Sequence, residues 1–232
     1  MHHTLKRLIR NPLGFAARAL RAYGVGGWLP PGAGKMPRSS LAIRMLAGLK
    51  GIEIGGAASN DFGLDTINVD FIDHRTHDTA YAREQMRVCG DILPVDVIAA
   101  GNALPFADKS YDFVIASHVV EHFYDPIGAI EEWVRVARHY VYLVVPHKDR
   151  TCDRPRPVTP VDELLQRHRN PFPPDATEDR HWSVWRTGDF EALVRSMALP
   201  IAAVQDQDDK AGNGFTVVIG DLAQAHNPAP WQ

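Results

Sequence analysis

The sequence predicts an α/β fold in which a mostly parallel sheet carries helices on both faces and ends in an antiparallel hairpin. Short β-branched runs alternate along the chain with segments of helical periodicity. Strands connected through helices are usually parallel, which accounts for most of the sheet. The last two strands, at residues 201–204 and 215–219, are joined by a polar turn, and this connection favours an antiparallel hairpin.

The individual elements follow from apolar runs and their boundaries. Strands are predicted in five further places, at residues 52–54, 67–69, 95–99, 113–116 and 140–145. Helices are predicted at 41–49, within 74–85, from near Pro126, at 159–168 and at 187–197. Ser39 or Ser40 is expected to cap the first of these helices, and Thr187 the last. Asn60 or Asp61 is expected to cap a further short helix after the first strand.

Composition and charge narrow the class of protein. Hydrophobic residues form 45% of the 232 residues, enough for one globular domain to bury its own core. The net charge of −3 argues against nucleic acid as a partner of the whole chain. Cys89 and Cys152 match no metal or redox spacing, so we expect reduced thiols and a cytoplasmic protein. We find no signal peptide and no apolar run long enough to span a membrane.

Basic residues dominate the start of the chain, because no acidic residue precedes Glu53. Residues 1–40 are predicted to be a basic helical extension that covers the domain as a lid. The alternative is that residues 1–23 touch an anionic membrane surface or an acidic partner. Residues 41–222 form the main domain, with a proline-rich, lid-like insertion at 147–182. Residues 223–232 are expected to be a flexible tail.

The stretch 50–73 has the residues needed to hold a cofactor that contains a nucleoside. A strand ends at Gly55 and Gly56, where the absence of a side chain allows a ligand to approach the main chain. The next strand ends at Asp70, and a carboxylate in this position can bind the two ribose hydroxyls. Backbone N–H groups of the glycine turn are expected to meet the other end of the ligand.

Further motifs follow in order, and together they resemble class I S-adenosylmethionine-dependent methyltransferases, in the type 11-like branch that acts mainly on small molecules. The motifs are Glu53-x-Gly55, Asp70, NALPF at 102–106, SYDFVI at 110–115, SHVVEH at 117–122, Arg135-Val136 and Val144-Val145-Pro146. The resemblance covers residues 48–220 and implies a Rossmann-like sheet of seven strands. The chain departs from the family at Ala57 and Ser59, where glycine is usual, and lacks the family's Lys-Pro-Gly-Gly turn before the fifth strand.

The resemblance implies a role for each matching residue. Glu53 holds the ammonium group of S-adenosylmethionine, directly or through water, and Gly55 and Gly56 lie against its amino-acid part. Asp70 holds the ribose hydroxyls. The remaining cofactor contacts implied are Asn102, Ala103 and Leu104 at the adenine, and Ser117 and His118 near the sulfonium. The implied activity is methyl transfer to a small-molecule or glycan acceptor.

Methyl transfer to a hydroxyl needs a base, and histidine suits neutral pH. His147 follows the fifth strand and is the favoured base, with Asp149 as its orienting partner. His118 follows the fourth strand and is the second candidate, although a backbone contact with the cofactor is favoured for it. Glu121 and His122 are expected to fix the following loop and helix. Oxygen is therefore the expected methylated atom.

The motifs allow three alternative interpretations. His118-Val-Val-Glu121-His122 matches the H-x-x-E-H pattern of zinc proteases, but that mechanism needs both histidines on one helix face. The first histidine here ends a strand, so no metal site is predicted. A nicotinamide enzyme would need G-x-G-x-x-G, which is absent. A protein that binds S-adenosylmethionine or S-adenosylhomocysteine without catalysis, in a regulatory or assembly role, is the alternative to an enzyme.

Overall fold

A computed structural model of the chain describes residues 32–172 and 180–221. The predicted helices within residues 1–23, part of the insertion and the tail at 223–232 lie outside these residues. The described residues form one mixed sheet of seven strands in the order β3-β2-β1-β4-β5-β7-β6. The strands are β1 Lys50–Ile54, β2 Asp65–Asp70, β3 Val97–Ile98, β4 Tyr111–Ser117, β5 Ala137–Pro146, β6 Ile201–Gln205 and β7 Gly214–Gly220.

The pairing of the strands confirms the predicted fold class. β1 pairs in parallel with β2 and β4, β2 with β3, and β4 with β5. β7 runs antiparallel to both β5 and β6, which makes the predicted terminal hairpin. β3 is shorter than the run at 95–99 suggested, because only Val97 and Ile98 pair with β2.

The described residues contain five α-helices, one before β1 and four between strands. They are α1 Ser40–Leu46, α2 Ala80–Cys89, α3 Pro126–Val136, α4 Val161–Arg169 and α5 Thr187–Ser196. The Ser39 side chain accepts a hydrogen bond from Ala42 N, so Ser39 is the cap of α1, as expected. The cap predicted at Thr187 is wrong by one residue. Arg186 is the N-cap of α5, and its N–H donates to Asp189 Oδ2 at 3.0 Å.

Alternation along the central strands gives the sheet two apolar faces. Ile52 and Ile54 of β1 pack with Trp133 of α3 and Phe190 of α5 in one buried cluster. Phe113 and Ile115 of β4 point to the other face, where they pack with Phe62, Tyr142 and Leu46 of α1. Helices therefore cover both faces, and Glu53 points to the side opposite Ile52 and Ile54.

The connection from β1 to β2 lacks the predicted capped helix. It contains only a 3-10 turn, Ala58–Asn60, and Asn60 is its last residue. The Ala58 N–H donates to the buried Gln85 Oε1 at 2.8 Å, and Asn60 Nδ2 donates to Ser117 Oγ at 3.1 Å. Side chains from α2 and β4 thus hold this segment in place of helical hydrogen bonds.

In the described part of the chain, no helix has the length and apolarity needed to cross a membrane.

Candidate functional site

The carboxyl ends of the parallel strands meet at one edge of the sheet, as ligand sites in open α/β sheets do. Gly55 N donates to Val69 O at 2.9 Å, and Ala99 N donates to Asp70 O at 2.9 Å. A Cβ added at Gly101 would lie 3.1 Å from Ile54 Cγ2, so the turn that carries Asn102 packs against the end of β1. The segments carrying Glu53, Asp70 and Asn102 therefore converge at one edge.

Asp70 has a carboxylate that the protein holds in place. It is 8% exposed, and its Oδ1 accepts from the Phe71 N–H at 2.7 Å. His74 Nε2 lies 3.0 Å from Oδ2, while His74 Nδ1 is 2.9 Å from the hydroxyl of Thr79, the cap of α2. Each carboxylate oxygen keeps a second lone pair for a ligand. Asp70 is therefore an oriented acceptor, and no pattern in the sequence indicated that His74 orients it.

Tyr81 of α2 is a second residue that the sequence did not reveal. Its hydroxyl donates to Gly55 O at 3.1 Å, and its ring meets His74 edge to face with centroids 5.0 Å apart. Tyr81 is 38% exposed as a whole residue, but desolvation of its hydroxyl at the turn and the charges of Asp70 and Glu53 raise its pKa, so the hydroxyl stays protonated. Tyr81 therefore joins the glycine turn to the Asp70 network.

The glycine turn uses its backbone donors within the protein. Besides the Gly55 N–H on Val69 O, the Gly56 N–H donates to Asn68 Oδ1 at 3.0 Å. Gly55 has φ +64°, and a Cβ there would lie 3.0 Å from Val119 Cγ2. The expectation that these N–H groups bind a ligand is therefore not met. The turn instead contributes a main chain without side chains, and its Gly55 carbonyl accepts from Tyr81.

Glu53 is buried beside the glycine turn, at 5% exposure. It accepts a hydrogen bond from Thr66 Oγ1 that is long, at 3.5 Å. Burial raises the pKa of Glu53 to about 7, against the opposing effect of Lys210. Lys210 Nζ donates to Asp61 O at 2.7 Å, and burial lowers the pKa of that amine to about 8. A cationic ligand would stabilise the ionised form of Glu53.

The turn at 100–104 forms the third part of this edge. Asn102 and Ala103 are exposed, whereas Leu104 is buried in the core. The Ala103 N–H donates to Ala100 O at 3.0 Å, and the Leu104 N–H donates to Glu132 Oε1 at 2.7 Å. Arg135 also holds the segment, since its guanidinium donates to Phe106 O at 2.8 Å. The Arg135-Val136 motif thus serves to support this turn.

Ser117 and His118 stand at the end of β4, next to the glycine turn. Ser117 Oγ accepts from Asn60, and the His118 N–H donates to Val144 O at 2.8 Å. His118 has φ +56°, an uncommon backbone conformation for a residue other than glycine. Its buried Nε2 has no hydrogen-bond partner among residues 32–172 and 180–221. The strained backbone directs this imidazole towards the following turn.

Glu121 lies at the centre of a group of three histidines. Its carboxylate is 0% exposed, and neither oxygen has a hydrogen-bond partner in the described ranges. Oε1 is 3.9 Å from His118 Nδ1, 3.8 Å from His122 Nε2 and 4.0 Å from His181 Nε2. Glu121 and His122 were expected to be structural, and His181 was not identified because it lies 60 residues away in the sequence.

His147 and Asp149 lie at the end of β5, as expected, but their contact differs from the predicted one. The Asp149 N–H donates to His147 Nδ1 at 3.1 Å, whereas the Asp149 carboxylate accepts from Arg186 Nε at 2.9 Å. The carboxylate therefore does not orient the imidazole. Burial and the charge of Arg150 lower the pKa of His147, which keeps its ring neutral.

Part of the chain matches a known protein family. Residues 55–145 match the family model described as "Methyltransferase domain". These residues run from the glycine turn through β2, β3 and β4 to Val145 in β5. The chain carries a class I S-adenosylmethionine-dependent methyltransferase domain. It is thus an enzyme that uses S-adenosylmethionine and a methyl acceptor, and the non-catalytic alternative has no observation of its own in its favour.

The chain is also similar to solved structures of methyltransferases. A SAM-dependent methyltransferase from Thermotoga maritima, titled a possible histamine N-methyltransferase, is 14% identical over 95% of this chain and 99% of its own, with a TM-score of 0.48. A SAM-dependent methyltransferase from Methanosarcina mazei is 18% identical over 79% and 97%, also at 0.48. At these scores neither supports a conclusion about the acceptor. No protein of curated function matches the sequence.

The residues at this edge have the chemical groups that S-adenosylmethionine needs. The turn at Gly55 has positive φ and carries no side chain. Glu53 supplies a carboxylate for an ammonium group, and Asp70 supplies two oriented oxygens for a diol. The exposed Asn102 and Ala103 stand where the third strand ends. These groups lie at three neighbouring strand ends, which is the arrangement that a nucleoside with a charged tail requires.

Proposed function

We propose that the methyltransferase moves a methyl group to a hydroxyl oxygen of a small-molecule or glycan acceptor. The observation that carries this proposal is the imidazole of His118, at the end of β4 beside the glycine turn. Its Nε2 has no hydrogen-bond partner in the part of the chain that the structure describes, and its Nδ1 faces the buried carboxylate of Glu121 at 3.9 Å. A histidine with one nitrogen near a carboxylate and no protein partner on the other is suited to take a proton from a hydroxyl.

The roles of the cofactor residues are part of the proposal. Glu53 binds the ammonium group, and the main chain of Gly55 and Gly56 lies against the amino-acid part. Asp70, oriented by His74, accepts from the ribose hydroxyls. The further contacts proposed are Asn102, Ala103 and Leu104 at the adenine, and Ser117 and His118 near the sulfonium. When bound, S-adenosylmethionine supplies an activated methyl group, so the protein need only align the acceptor and remove its proton.

The geometry favours His118 over His147 as the base. His147 Nδ1 accepts a hydrogen bond from the Asp149 N–H, so the neutral ring carries its proton on Nε2 and presents a donor there. His118 has the opposite arrangement, because a proton on Nδ1 faces Glu121 and leaves Nε2 as an acceptor. We therefore assign proton removal to His118. His147, Asp149 and Arg186 position the loop after β5.

Aromatic residues near the insertion suit a sugar or a similar ring as acceptor. Tyr124 and Trp182 are half-buried and meet edge to face, with centroids 5.1 Å apart. Arg167 and Arg180 lie over these rings, at 5.2 Å and 3.8 Å from the centroids. Such a surface combines an apolar face with hydrogen-bond donors. We propose that the insertion at 147–182 borders the acceptor site.

The test is formation of S-adenosylhomocysteine with a panel of hydroxyl and amine acceptors that includes glycans. We expect methylation of a hydroxyl compound. His118→Gln should lower kcat by about 10²- to 10⁴-fold, while S-adenosylmethionine binding, followed by calorimetry, stays within about threefold.

His147→Gln is the matched comparison, and it should lower kcat by less than about tenfold because the residue only positions a loop. Methylation of amines alone would overturn the assignment to oxygen. An unchanged kcat in the His118 variant, together with a large decrease of kcat in the His147 variant, would show that His147 is the base.

A further inference from the structure

The cluster around Glu121 brings together three side chains that commonly bind transition metals. Glu121 Oε1 lies 3.8 Å from His122 Nε2 and 4.0 Å from His181 Nε2. One ligand atom from each of the three residues lies within 4.8 Å of the other two. A metal with bonds of about 2.0–2.2 Å holds its ligand atoms about 3–3.5 Å apart. A shift of less than about 1 Å in the side chains would therefore close the site.

The carboxylate of Glu121 gives a second, independent indication of a bound cation. A fully buried carboxylate normally has hydrogen-bond donors or a paired charge. Both oxygens of Glu121 lack a donor among the described residues, and the three imidazole nitrogens stay 3.8–4.0 Å away. Its backbone, by contrast, is fixed, because the Trp182 N–H donates to Glu121 O at 2.7 Å. This bond also brings His181 to the carboxylate.

His181 has the second partner that metal-binding histidines usually have. Its Nδ1 lies 2.6 Å from Asp153 Oδ2, and Arg156 Nη1 donates to Asp153 Oδ1 at 2.7 Å. Asp153 is 3% exposed, so this contact is buried. A carboxylate on one nitrogen fixes the tautomer and leaves the other nitrogen, here Nε2, as an electron-pair donor towards the ion.

From these contacts we infer that Glu121, His122 and His181 bind one divalent transition-metal ion, such as Zn²⁺ or Mn²⁺. Three protein ligands of mixed oxygen and nitrogen type leave a coordination position for an exogenous oxygen. The sequence argued against a metal because the first histidine of H-x-x-E-H ends a strand and cannot share a helix face with the second. The structure has that strand end, followed by the 3-10 turn Val120–His122, but the third ligand inferred here is His181, from the end of the insertion.

The position of the site suggests what the ion does, an inference that rests on the proposed function. The loop from β4 to Glu121 touches the glycine turn, because a Cβ at Gly55 would lie 3.0 Å from Val119 Cγ2. An ion here would bind the acceptor hydroxyl and lower its pKa. His118 Nε2 would take the proton. The oxygen would then form its bond to the methyl carbon while the carbon–sulfur bond breaks and sulfur keeps the electron pair.

Metal content tests the site without any methyl acceptor. The full chain is stripped with a chelator, dialysed against Zn²⁺ or Mn²⁺ and analysed by mass spectrometry, and affinity is measured by calorimetry with the metal alone. We expect one equivalent in the parent protein. His181→Gln and Glu121→Gln should bind less than about 0.1 equivalent, and Asp153→Asn should weaken binding by about 10- to 100-fold.

Two matched variants distinguish this site from a neighbouring group of ligand atoms and from surface binding. Cys152, Asp153 and His181 form a second group within 4.8 Å. Cys152→Ser should keep one equivalent if the ion is on Glu121, and so should a variant of the exposed His77, His77→Gln. Less than about 0.1 equivalent in the parent protein, or full binding in His181→Gln, would overturn the inference. Unfolding curves check that each variant is folded, and retained S-adenosylmethionine binding keeps this result separate from the cofactor assignment.

Discussion

Two buried carboxylates, one at the end of β2 and one in the turn after β4, have opposite hydrogen-bond environments. Asp70, at the end of β2, has one oxygen on the Phe71 N–H and the other on His74. Glu121, in the turn after β4, has no donor on either oxygen in the described ranges, although it is the more deeply buried of the two. The first carboxylate is complete without a ligand, whereas the second is not.

The difference indicates what each half of the site binds. A carboxylate held by protein donors keeps its direction and can accept further hydrogen bonds from a neutral diol. A carboxylate buried without donors is costly, and a cation is the partner that removes this cost. The β1–β2–β3 half therefore suits the nucleoside of S-adenosylmethionine, and the β4 half suits a metal ion and the acceptor oxygen.

The largest expected effect is on cofactor binding in the Asp70 half. Asp70→Ala removes an ionised acceptor of two ribose hydrogen bonds, each worth about 1.5–3 kcal/mol. S-adenosylhomocysteine should therefore bind at least about 100-fold more weakly in calorimetry. Asp78→Ala changes an exposed carboxylate that pairs with Arg83, and it serves as the control with unchanged affinity. If Asp70→Ala bound S-adenosylhomocysteine as tightly as the parent protein, Asp70 would not be the residue that binds the ribose hydroxyls.

The two carboxylates should respond with opposite sign when each is neutralised. In metal-free protein, Asp70→Asn should lower the free energy of unfolding by about 1–3 kcal/mol, because it breaks a satisfied network. Glu121→Gln should raise it by a similar amount, because an uncompensated buried charge is removed. Urea unfolding in the presence of a chelator measures both. Destabilisation by both variants would show that Glu121 already has adequate partners without an ion.

A third effect concerns Glu53, whose pKa rises from 4.5 to about 7 because the group is buried. A carboxyl group whose pKa is raised in the folded state binds its proton more tightly there than in the unfolded chain, and this stabilises the fold. For Glu53 the contribution is complete below pH 4.5 and is lost as the pH rises through about 7. Between about pH 5 and pH 8 the parent should therefore lose about 1–3 kcal/mol more stability than Glu53→Gln. Thermal unfolding at the two pH values measures the difference. Parallel curves for both proteins would contradict the raised pKa.

Much of the sheet and the cofactor edge could be predicted because their signals are local. Apolar runs and the glycine turn placed β1, β2, β4 and β5, and parallel strands necessarily bring their carboxyl ends to one edge. Local signals failed where a side chain distant in sequence accepts the hydrogen bond of a backbone N–H group. Gln85 holds the Ala58 N–H, so a 3-10 turn forms where a capped helix was predicted. Asn68 takes the Gly56 N–H that was assigned to the ligand.

The sequence by itself determined the fold class, the order of the motifs and the positions of Glu53, Asp70 and His118 at strand ends, because periodicity and chain order dictate these. Only the tertiary structure decided that Tyr81 and His74 support the nucleoside half, and that His181 reaches Glu121 from 60 residues away. It also decided that the Asp149 carboxylate pairs with Arg186 and does not orient His147. The physical reason is that hydrogen bonds and ion contacts between side chains depend on distances in space, which sequence spacing does not encode.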